Sequence, residues 1–237
     1  MTRINIIDSI RGFSFFPMFI FHIFAAYDLT NSFTTMTTKN IYISALGLIR
    51  NVFIILAGVS LSLAAINKTD STKYYTNRLK RSINILIHAM FLTVLTHYLF
   101  PGFGIKFGVL HFIGIATLLL SPIAGNNILL LIALVVLLFV DIPQINPTLD
   151  TIIGMQSHYS MADWFPLQKY LPLMIGGALA GNIIFKEKPK ELIVKELSTK
   201  ETTLLEWIGQ NSLEFYTVHF SLLMITFYIA KNYFHLF

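Results

Sequence analysis

Hydrophobic residues gather into seven long runs along the chain, separated by short polar segments or by segments that contain glycine and proline. An α-helix needs about 20 mainly apolar residues to cross the hydrocarbon core of a bilayer. The seven runs approach or exceed that length and cover residues 9–29, 42–66, 80–99, 106–123, 127–142, 167–185 and 207–231. The pattern predicts an all-α integral membrane protein, a single domain over residues 1–237 that forms a bundle of about seven transmembrane helices.

The lysines and arginines predict the orientation of this bundle. With the N-terminus in the cytoplasm, the inner segments and the adjoining helix ends carry twelve of them, the outer segments carry four, and Arg50 lies within the second run. Cytoplasmic loops are enriched in these residues, so we expect a cytoplasmic N-terminus and a multi-pass protein of the plasma membrane. The first run contains Arg11, His22 and Asp28, and no cleavage motif follows it, so we expect a retained helix rather than a signal peptide.

The composition agrees with a chain that is embedded in the bilayer. Of its residues 55% are hydrophobic and 12% are charged, and the mean hydropathy is +0.67, whereas soluble domains carry roughly a quarter charged residues. The net charge of +5 fits cytoplasmic loops, so we expect no nucleic-acid partner. The absence of cysteine excludes disulfides, cysteine-ligated metals and a thiol nucleophile. The sequence also lacks metal motifs such as H-E-x-x-H, so no metal is expected.

Polar side chains in the first run are the strongest functional candidates, because an ionisable group in a span costs at least ~2.5 kcal/mol. Arg11 and His22 are eleven residues apart, which puts them ~16 Å apart along an α-helix and only about 20° out of phase. Asp8 can pair with Arg11, and Pro17 is expected to kink the helix between Arg11 and His22. The spacing predicts one passage lined by Arg11 and His22. An anchoring ion pair and a histidine bonded between helices are the structural alternatives.

Two further polar features lie in the fourth and last runs. Ser212, Tyr216 and His219 recur at i, i+4 and i+7, and polar groups on one stripe of an apolar helix must face protein or water rather than lipid. His111 lies just inside the outer end of the fourth run. We interpret these side chains as candidates for catalysis or binding, with hydrogen bonding between helices as the alternative.

The second and sixth runs carry features of charge and packing. Arg50 lies inside the second run, and a buried guanidinium needs an acidic partner, for which Asp28 and Asp163 are the candidates. Gly177 and Gly181 have the small-xxx-small spacing that lets helices pack closely. Packing within the chain is the favoured interpretation of the two glycines, and a homo-oligomer interface is the alternative.

Together these residues indicate acyl transfer. The cytoplasmic side is basic, and a histidine lies deeper along the same stripe of the first helix. A long, negatively charged cofactor would rest its phosphates on the basic side and extend its reactive end toward the histidine. The ~16 Å between Arg11 and His22 is comparable to an extended pantetheine arm, so we interpret the arrangement as a site for a CoA thioester.

Five segments in a fixed order add a family resemblance. They are residues 8–12 with Met18, His22 and Asp28–Leu29, then 56–61, 107–114, 164–167, and 208–213 with Tyr216 and His219. These segments resemble the transmembrane acyltransferases, in particular the heparan-α-glucosaminide N-acetyltransferase catalytic-domain-like proteins of bacteria and archaea. The resemblance extends over nearly the whole chain.

The resemblance implies an enzyme that takes an acetyl group from cytoplasmic acetyl-CoA and delivers it to an amine or hydroxyl of an extracytoplasmic sugar or lipid-linked glycan. In this interpretation His22 is the base or the acylated group, oriented by Asp28, while His111 and His219 are second-choice oxyanion or acceptor-binding residues. The phosphates of CoA would be bound by four basic residues, Arg11, Arg78, Lys80 and Arg81.

Two departures from the family pattern concern the histidine. The interval from His22 to Asp28–Leu29 is longer than usual, and the segment 29–41 lacks the histidine that lysosomal relatives carry after the first helix. Two other classes of function use the same parts. One is a transporter or a proton or solute channel that uses the intramembrane histidines, and the other is a binding subunit without chemistry.

Overall fold

The computed structural model describes residues 4–30, 47–102, 104–140, 163–186 and 203–234, together with residues 146, 150 and 154. Within these residues the chain forms eight α-helices. They are α1 (Asn5–Thr30), α2 (Gly47–Ile66), α3 (Ser71–Leu99), α4 (Val109–Leu120), α5 (Asn127–Phe139), α6 (Leu167–Phe185), α7 (Leu204–Gln210) and α8 (Ser212–Phe234).

Length and composition identify this all-helical chain as a membrane protein. Three helical stretches are long and apolar enough to cross a bilayer, namely Asn5–Tyr27, Ser71–Leu99 and Ser212–Phe234. Three shorter apolar helices accompany them, over Arg50–Ile66, Val109–Leu120 and Asn127–Phe139. Large apolar side chains on the outside of the bundle, such as Phe13 and Ile87, are more than half exposed, as expected for helices that face lipid. The prediction of an all-α, multi-pass membrane protein is confirmed.

Two of the predicted helices differ most clearly from the structure in their bounds. The third helix begins at Ser71 rather than at residue 80, because the Asp70 side chain caps it by accepting hydrogen bonds from the backbone N–H groups of Thr72 and Lys73. The last predicted run is divided at Asn211 into α7 and α8. A capping box between Thr203 and Glu206 starts α7 before the apolar run begins.

Glycines bring α2 and α6 into direct backbone contact. A Cβ atom at Gly58 would overlap the Met174 carbonyl, and one at Gly177 would overlap the Ile55 carbonyl. A Cβ atom at Gly181 would overlap the Ser62 side chain. Both Gly177 and Gly181 are buried against α2, so they serve packing within the chain. The alternative, a homo-oligomer interface through these two glycines, is unsupported, because α2 packs on both of them.

A second close approach joins α1 to α7. A Cβ atom at Gly12 would overlap the Leu205 carbonyl, and one at Gly209 would overlap the Asp8 carbonyl. Only glycine lets two helices approach this closely at these positions. The contact joins the first and last of the five resembling segments, although they are about 200 residues apart in the sequence.

The helices around the centre form a closed ring of neighbours. Helix α1 contacts α2 and α8, α3 contacts α8 and α4, and α4 contacts α2. Helix α6 packs outside this ring against α2, α4 and α5. The ring surrounds an internal cavity, and each of its five helices contributes side chains to the wall.

Candidate active site

The cavity has a volume of about 740 Å³ and extends along α1 from Arg11 to His22. Pockets of this size are typical of small-molecule and cofactor sites. The two side chains are separated by eleven residues of one helix, with Pro17 between them also lining the wall. The sequence-based prediction that Arg11 and His22 face one passage is therefore confirmed by the structure.

Arg11 lies where α1, α2 and α7 meet. One of its terminal nitrogens donates to Asp8 Oδ1 at 2.9 Å and to the Gly209 carbonyl at 3.4 Å, and the other donates to Ser60 Oγ at 2.9 Å. Ser60 Oγ in turn donates to the Leu56 carbonyl at 2.7 Å, so its lone pairs are available to the guanidinium. The predicted ion pair between Asp8 and Arg11 is present, and it fixes the guanidinium on the cavity wall.

Two more arginines line the cavity from α3. Arg78 is buried and lies over the ring of Tyr74 at 5.9 Å, while Arg81, one turn later, is exposed. Residues three apart lie on the same side of a helix, and both arginines contribute to the wall. Lys80 lies about 100° around the helix from Arg81, is exposed, and is not among the lining residues.

His22 is buried, lines the cavity about three turns along α1 from Arg11, and bonds to His219 of α8. The distance from His22 Nδ1 to His219 Nε2 is 2.7 Å, and the two ring planes are 26° apart. His219 Nδ1 bonds to the Phe215 carbonyl one turn earlier on α8. Tyr216 stands edge-on to the His22 ring at 5.3 Å. His219, rather than Asp28, is therefore the described partner of His22; the Asp28 side chain lies outside the described residues.

The polar stripe on α8 faces the interior as predicted. Ser212 and Tyr216 line the cavity, and His219 reaches it through its bond to His22. Phe15 and Phe19 of α1 pack on the other side of His219, at ring-centroid distances of 4.9 and 5.5 Å. His219 is thus enclosed by aromatic rings and has a defined position against His22.

His111 lies at the start of α4, outside the wall of the cavity. Its Nδ1 accepts a hydrogen bond from the Gly108 backbone N–H at 3.2 Å, and its Nε2 is 3.3 Å from Thr93 Oγ1. His111 therefore caps its own helix and ties it to α3. The structure does not bring it to the site that His22 occupies.

The residues around Asp163 hold the segment before α6 against the start of α4. Asp163 Oδ2 accepts a hydrogen bond from the Val109 backbone N–H at 3.1 Å, and the Phe165 N–H donates to the Phe107 carbonyl at 3.0 Å. A Cβ atom at Gly108 would overlap the Asp163 carboxylate. Two of the resembling segments, 107–114 and 164–167, are therefore adjacent here.

Asp163 and Arg50 both line the cavity, and neither was among the site residues that the sequence predicted. Burial raises the pKa of Asp163 to about 6, while the bond from Val109 and the charge of Arg50 act in the opposite direction. The Arg50 guanidinium lies over the rings of Phe165 and Tyr170 at 5.2 and 5.1 Å. The sequence indicated Asp28 and Asp163 as candidate acidic neighbours of Arg50. Within the described residues, Asp163 is the one whose charge interacts with Arg50.

The charges of the cavity wall are mixed, with an excess of arginine. Four arginines and three acidic residues contribute to it: Arg11, Arg50, Arg78, Arg81, Asp8, Asp163 and Glu214. Within the part of the chain that the structure describes, no three His, Asp or Glu side chains converge as a metal site would require. The described wall therefore offers guanidinium groups for an anion and one imidazole for proton transfer.

Comparison with known proteins identifies the family of the chain. The sequence profile of the family described as heparan-alpha-glucosaminide N-acetyltransferase, catalytic, matches residues 3–221. No curated protein and no solved structure matches the chain. The matched region includes every side chain named above as part of the cavity wall. Because the match covers far more than half of the chain, the protein belongs to the family of the heparan-alpha-glucosaminide N-acetyltransferase catalytic domain, a family of membrane acetyltransferases that use acetyl-CoA.

Proposed function

We propose that this protein is a seven-span acetyltransferase of the plasma membrane, with a cytoplasmic N-terminus and a single domain. It moves the acetyl group of cytoplasmic acetyl-CoA to an amine or hydroxyl of an extracytoplasmic sugar or lipid-linked glycan. One observation supports the proposal: a single cavity is lined by His22, by Arg11 about three turns away along α1, and by Arg78 and Arg81 of α3.

The arginine-lined part of the cavity is suited to the phosphates of the acyl donor. Arg78 and Arg81 lie on one side of α3, and guanidinium groups form bidentate hydrogen bonds with phosphate. Arg11 is held by Asp8 and Ser60, so its role is to define the path toward His22. Lys80 is exposed outside the cavity, and we assign to it only the attraction of anions from solution.

The part around His22 is suited to the transfer itself. The acceptor nitrogen or oxygen forms a bond to the acetyl carbon, the carbon–sulfur bond breaks, and CoA leaves as the thiol. His22 takes the proton that the acceptor loses and passes it to the sulfur of the leaving CoA, which yields the thiol. The route through an acylated His22 uses the same side chain as a nucleophile. Asp163 and Arg50 line the wall on the side that the proposed topology makes extracytoplasmic, where the acceptor would enter.

Family membership favours the enzyme over a transporter or a proton or solute channel, although the same histidine pair would suit a relay. Binding of the donor separates these classes directly. A ligand at 100 times its Kd stabilises a protein by about 2.7 kcal/mol, so acetyl-CoA and CoA are expected to raise the melting temperature of the purified protein. Dephospho-CoA, which lacks the 3′-phosphate, should raise the melting temperature less. The absence of any shift at saturating acetyl-CoA would overturn the proposal.

Transfer is tested with the acceptor that the family description names. The purified protein, reconstituted in lipid, is incubated with radiolabelled acetyl-CoA and an aryl α-glucosaminide, and the acetylated product is counted. We expect product with the unaltered protein and a large loss with Arg78→Ala. Lys73→Ala is the matched control, because Lys73 is an exposed cation on the same helix and does not line the cavity.

A further inference from the structure

The bond between His22 and His219 has a chemical direction that can be derived from its neighbours. A backbone carbonyl can only accept a hydrogen bond. Because His219 Nδ1 bonds to the Phe215 carbonyl, that nitrogen must carry the proton. A neutral imidazole has one N–H donor and one acceptor nitrogen, so His219 Nε2 is the acceptor. The 2.7 Å bond to His22 is therefore donated by His22 Nδ1.

The surroundings favour the neutral form of His219 that this derivation uses. Its ring is buried among Phe15, Phe19 and Tyr216, with ring-centroid distances of 4.9, 5.5 and 5.7 Å. Burying a charged imidazolium among apolar groups costs on the order of several kcal/mol unless the charge is paired. Across the described residues, no carboxylate bonds to His219. The pair is thus a chain of two neutral rings that ends at a backbone carbonyl.

We infer that His219 is a positioning residue for the reaction, which fixes the tautomer of His22 so that Nε2 of His22 is the basic atom. This inference rests on the proposed function, in which His22 accepts the proton of the acceptor. His22 lines the cavity, and no hydrogen bond of its Nε2 is found among the described residues. The only lone pair of the ring therefore belongs to the nitrogen that is not bound to α8.

The same bond helps His22 after it has accepted a proton. The imidazolium then has two N–H groups, and the Nδ1–H already donates to His219 Nε2. Hydrogen bonds from a charged donor are roughly twice as strong as neutral ones. The positive charge is thus stabilised by a neutral partner, without a buried carboxylate, while the Nδ1–H of His219 still donates to the Phe215 carbonyl. In familiar triads a carboxylate has this orienting role.

The sequence spacing within one turn of α8 explains the bond from His219 to the Phe215 carbonyl. Residues four apart are neighbours on a helix, so the His219 side chain can reach the carbonyl of Phe215. Phe15 and Phe19, also four apart, close the opposite side from α1. Among the described residues, the contacts of the His219 ring come from α1 and α8.

Two substitutions separate orientation from mere packing. His219→Gln keeps an amide oxygen near the position of Nε2, which can accept from His22 Nδ1, whereas His219→Phe fills the space without an acceptor. We expect His219→Phe to lower kcat by roughly 10²-fold, the lower end of the range for loss of a general base, with little change in the KM for acetyl-CoA. His219→Gln should retain most of the activity. Equal activity of His219→Phe and the unaltered protein would overturn the inference, as would equal losses in both variants.

A spectroscopic measurement on the unaltered protein does not depend on whether any variant folds. In protein with ¹⁵N-labelled histidine, reconstituted in lipid, the His22 signals are assigned by their loss in His22→Gln. We expect a protonated Nδ1 and an unprotonated Nε2 for His22, and a mixture of tautomers in His219→Phe. A proton on Nε2 of His22 in the unaltered neutral protein would contradict the inference.

Activity of His22→Ala distinguishes failure of the inference from failure of the proposed function. Full transfer to the aryl α-glucosaminide by a folded His22→Ala protein would remove His22 from the mechanism and with it the role of His219. A large loss in His22→Ala combined with full activity in His219→Phe would overturn only the positioning role.

Discussion

Arg11 and His22 line the same cavity from a single helix, eleven residues apart. The helix therefore sets the distance along its axis between Arg11 and His22 at ~16 Å, because each residue adds about 1.5 Å. No hinge or loop lies between the two side chains, and α1 is continuous through Pro17. This fixed spacing underlies the predictions about donor binding and proton transfer that follow.

Removal of the imidazole should abolish most of the transfer without unfolding the protein. We expect His22→Ala to lower kcat by about 10²–10⁴-fold, the contribution of a general base, while the protein stays folded and binds acetyl-CoA. The measurement is transfer to the aryl α-glucosaminide. His88→Ala is the matched control, since His88 bonds to the Asn84 carbonyl of its own helix and lies outside the cavity. Comparable losses in both variants would point to a general effect on folding.

The positions of the helices could be predicted from hydrophobicity alone, because each span must present apolar side chains to lipid. Helix α6 has the predicted bounds, Leu167–Phe185. The division at Asn211 was missed even though the stretch 209–212, Gly-Gln-Asn-Ser, interrupts the apolar residues there, because it is short, lacks proline and is flanked by apolar residues on both sides. Its location reflects tertiary structure: Gly209, just before the break, packs on the Asp8 backbone of α1, and that contact leaves no trace in local hydropathy.

The members of the site could be predicted, but their pairing could not. His22 and His219 were both candidates, yet they are 197 residues apart in the sequence. The hydrophobic periodicity of a helix shows which face is buried, but it does not show which other helix packs against that face. Asp28 was proposed as the orienting group because it is close in sequence. The exclusion of Lys80 from the cavity was available from the sequence, since 100° per residue places Arg78 and Arg81 together and Lys80 apart.

The arginines of α3 should affect donor binding rather than the chemical step. A hydrogen bond to a charged group contributes about 1.5–3 kcal/mol, and 1.4 kcal/mol is tenfold, so Arg78→Ala should raise the KM for acetyl-CoA about 10- to 100-fold with a smaller change in kcat. Steady-state kinetics at varied acetyl-CoA measures the two constants separately. A lowered kcat at unchanged KM would place Arg78 in the transfer step instead.

The contact between α1 and α7 should be intolerant of a single methyl group. Gly209→Ala places a Cβ atom on the Asp8 carbonyl, a backbone atom that cannot rotate away. Overpacking typically costs about 1–3 kcal/mol, and the displaced helix would also move Arg11, which bonds to the Gly209 carbonyl. We expect a lower melting temperature together with weaker acetyl-CoA binding.

Gly176→Ala is the control for this prediction. Gly176 is exposed on α6 with nothing within 4 Å of its added Cβ atom, so the substitution removes only the unfavourable helix propensity of glycine, up to about 1 kcal/mol. Its melting temperature should stay the same or rise. Equal melting temperatures for Gly209→Ala and the unaltered protein would show that α1 and α7 can separate without loss.

Asp163 should make the stability of the protein fall as the pH rises from about 4 to about 6. Its pKa in the folded protein is about 6, against 3.8 for an ordinary aspartate, because burial disfavours the carboxylate. In this window the folded state binds more protons than the unfolded state, so the free energy of unfolding decreases with pH and levels off above it. Asp163→Asn cannot ionise, yet its amide oxygen can still accept from the Val109 N–H. Melting temperatures of both proteins across this range should therefore diverge, with the unaltered protein losing stability relative to Asp163→Asn. A constant difference between the two proteins from pH 4 to pH 7 would contradict the raised pKa.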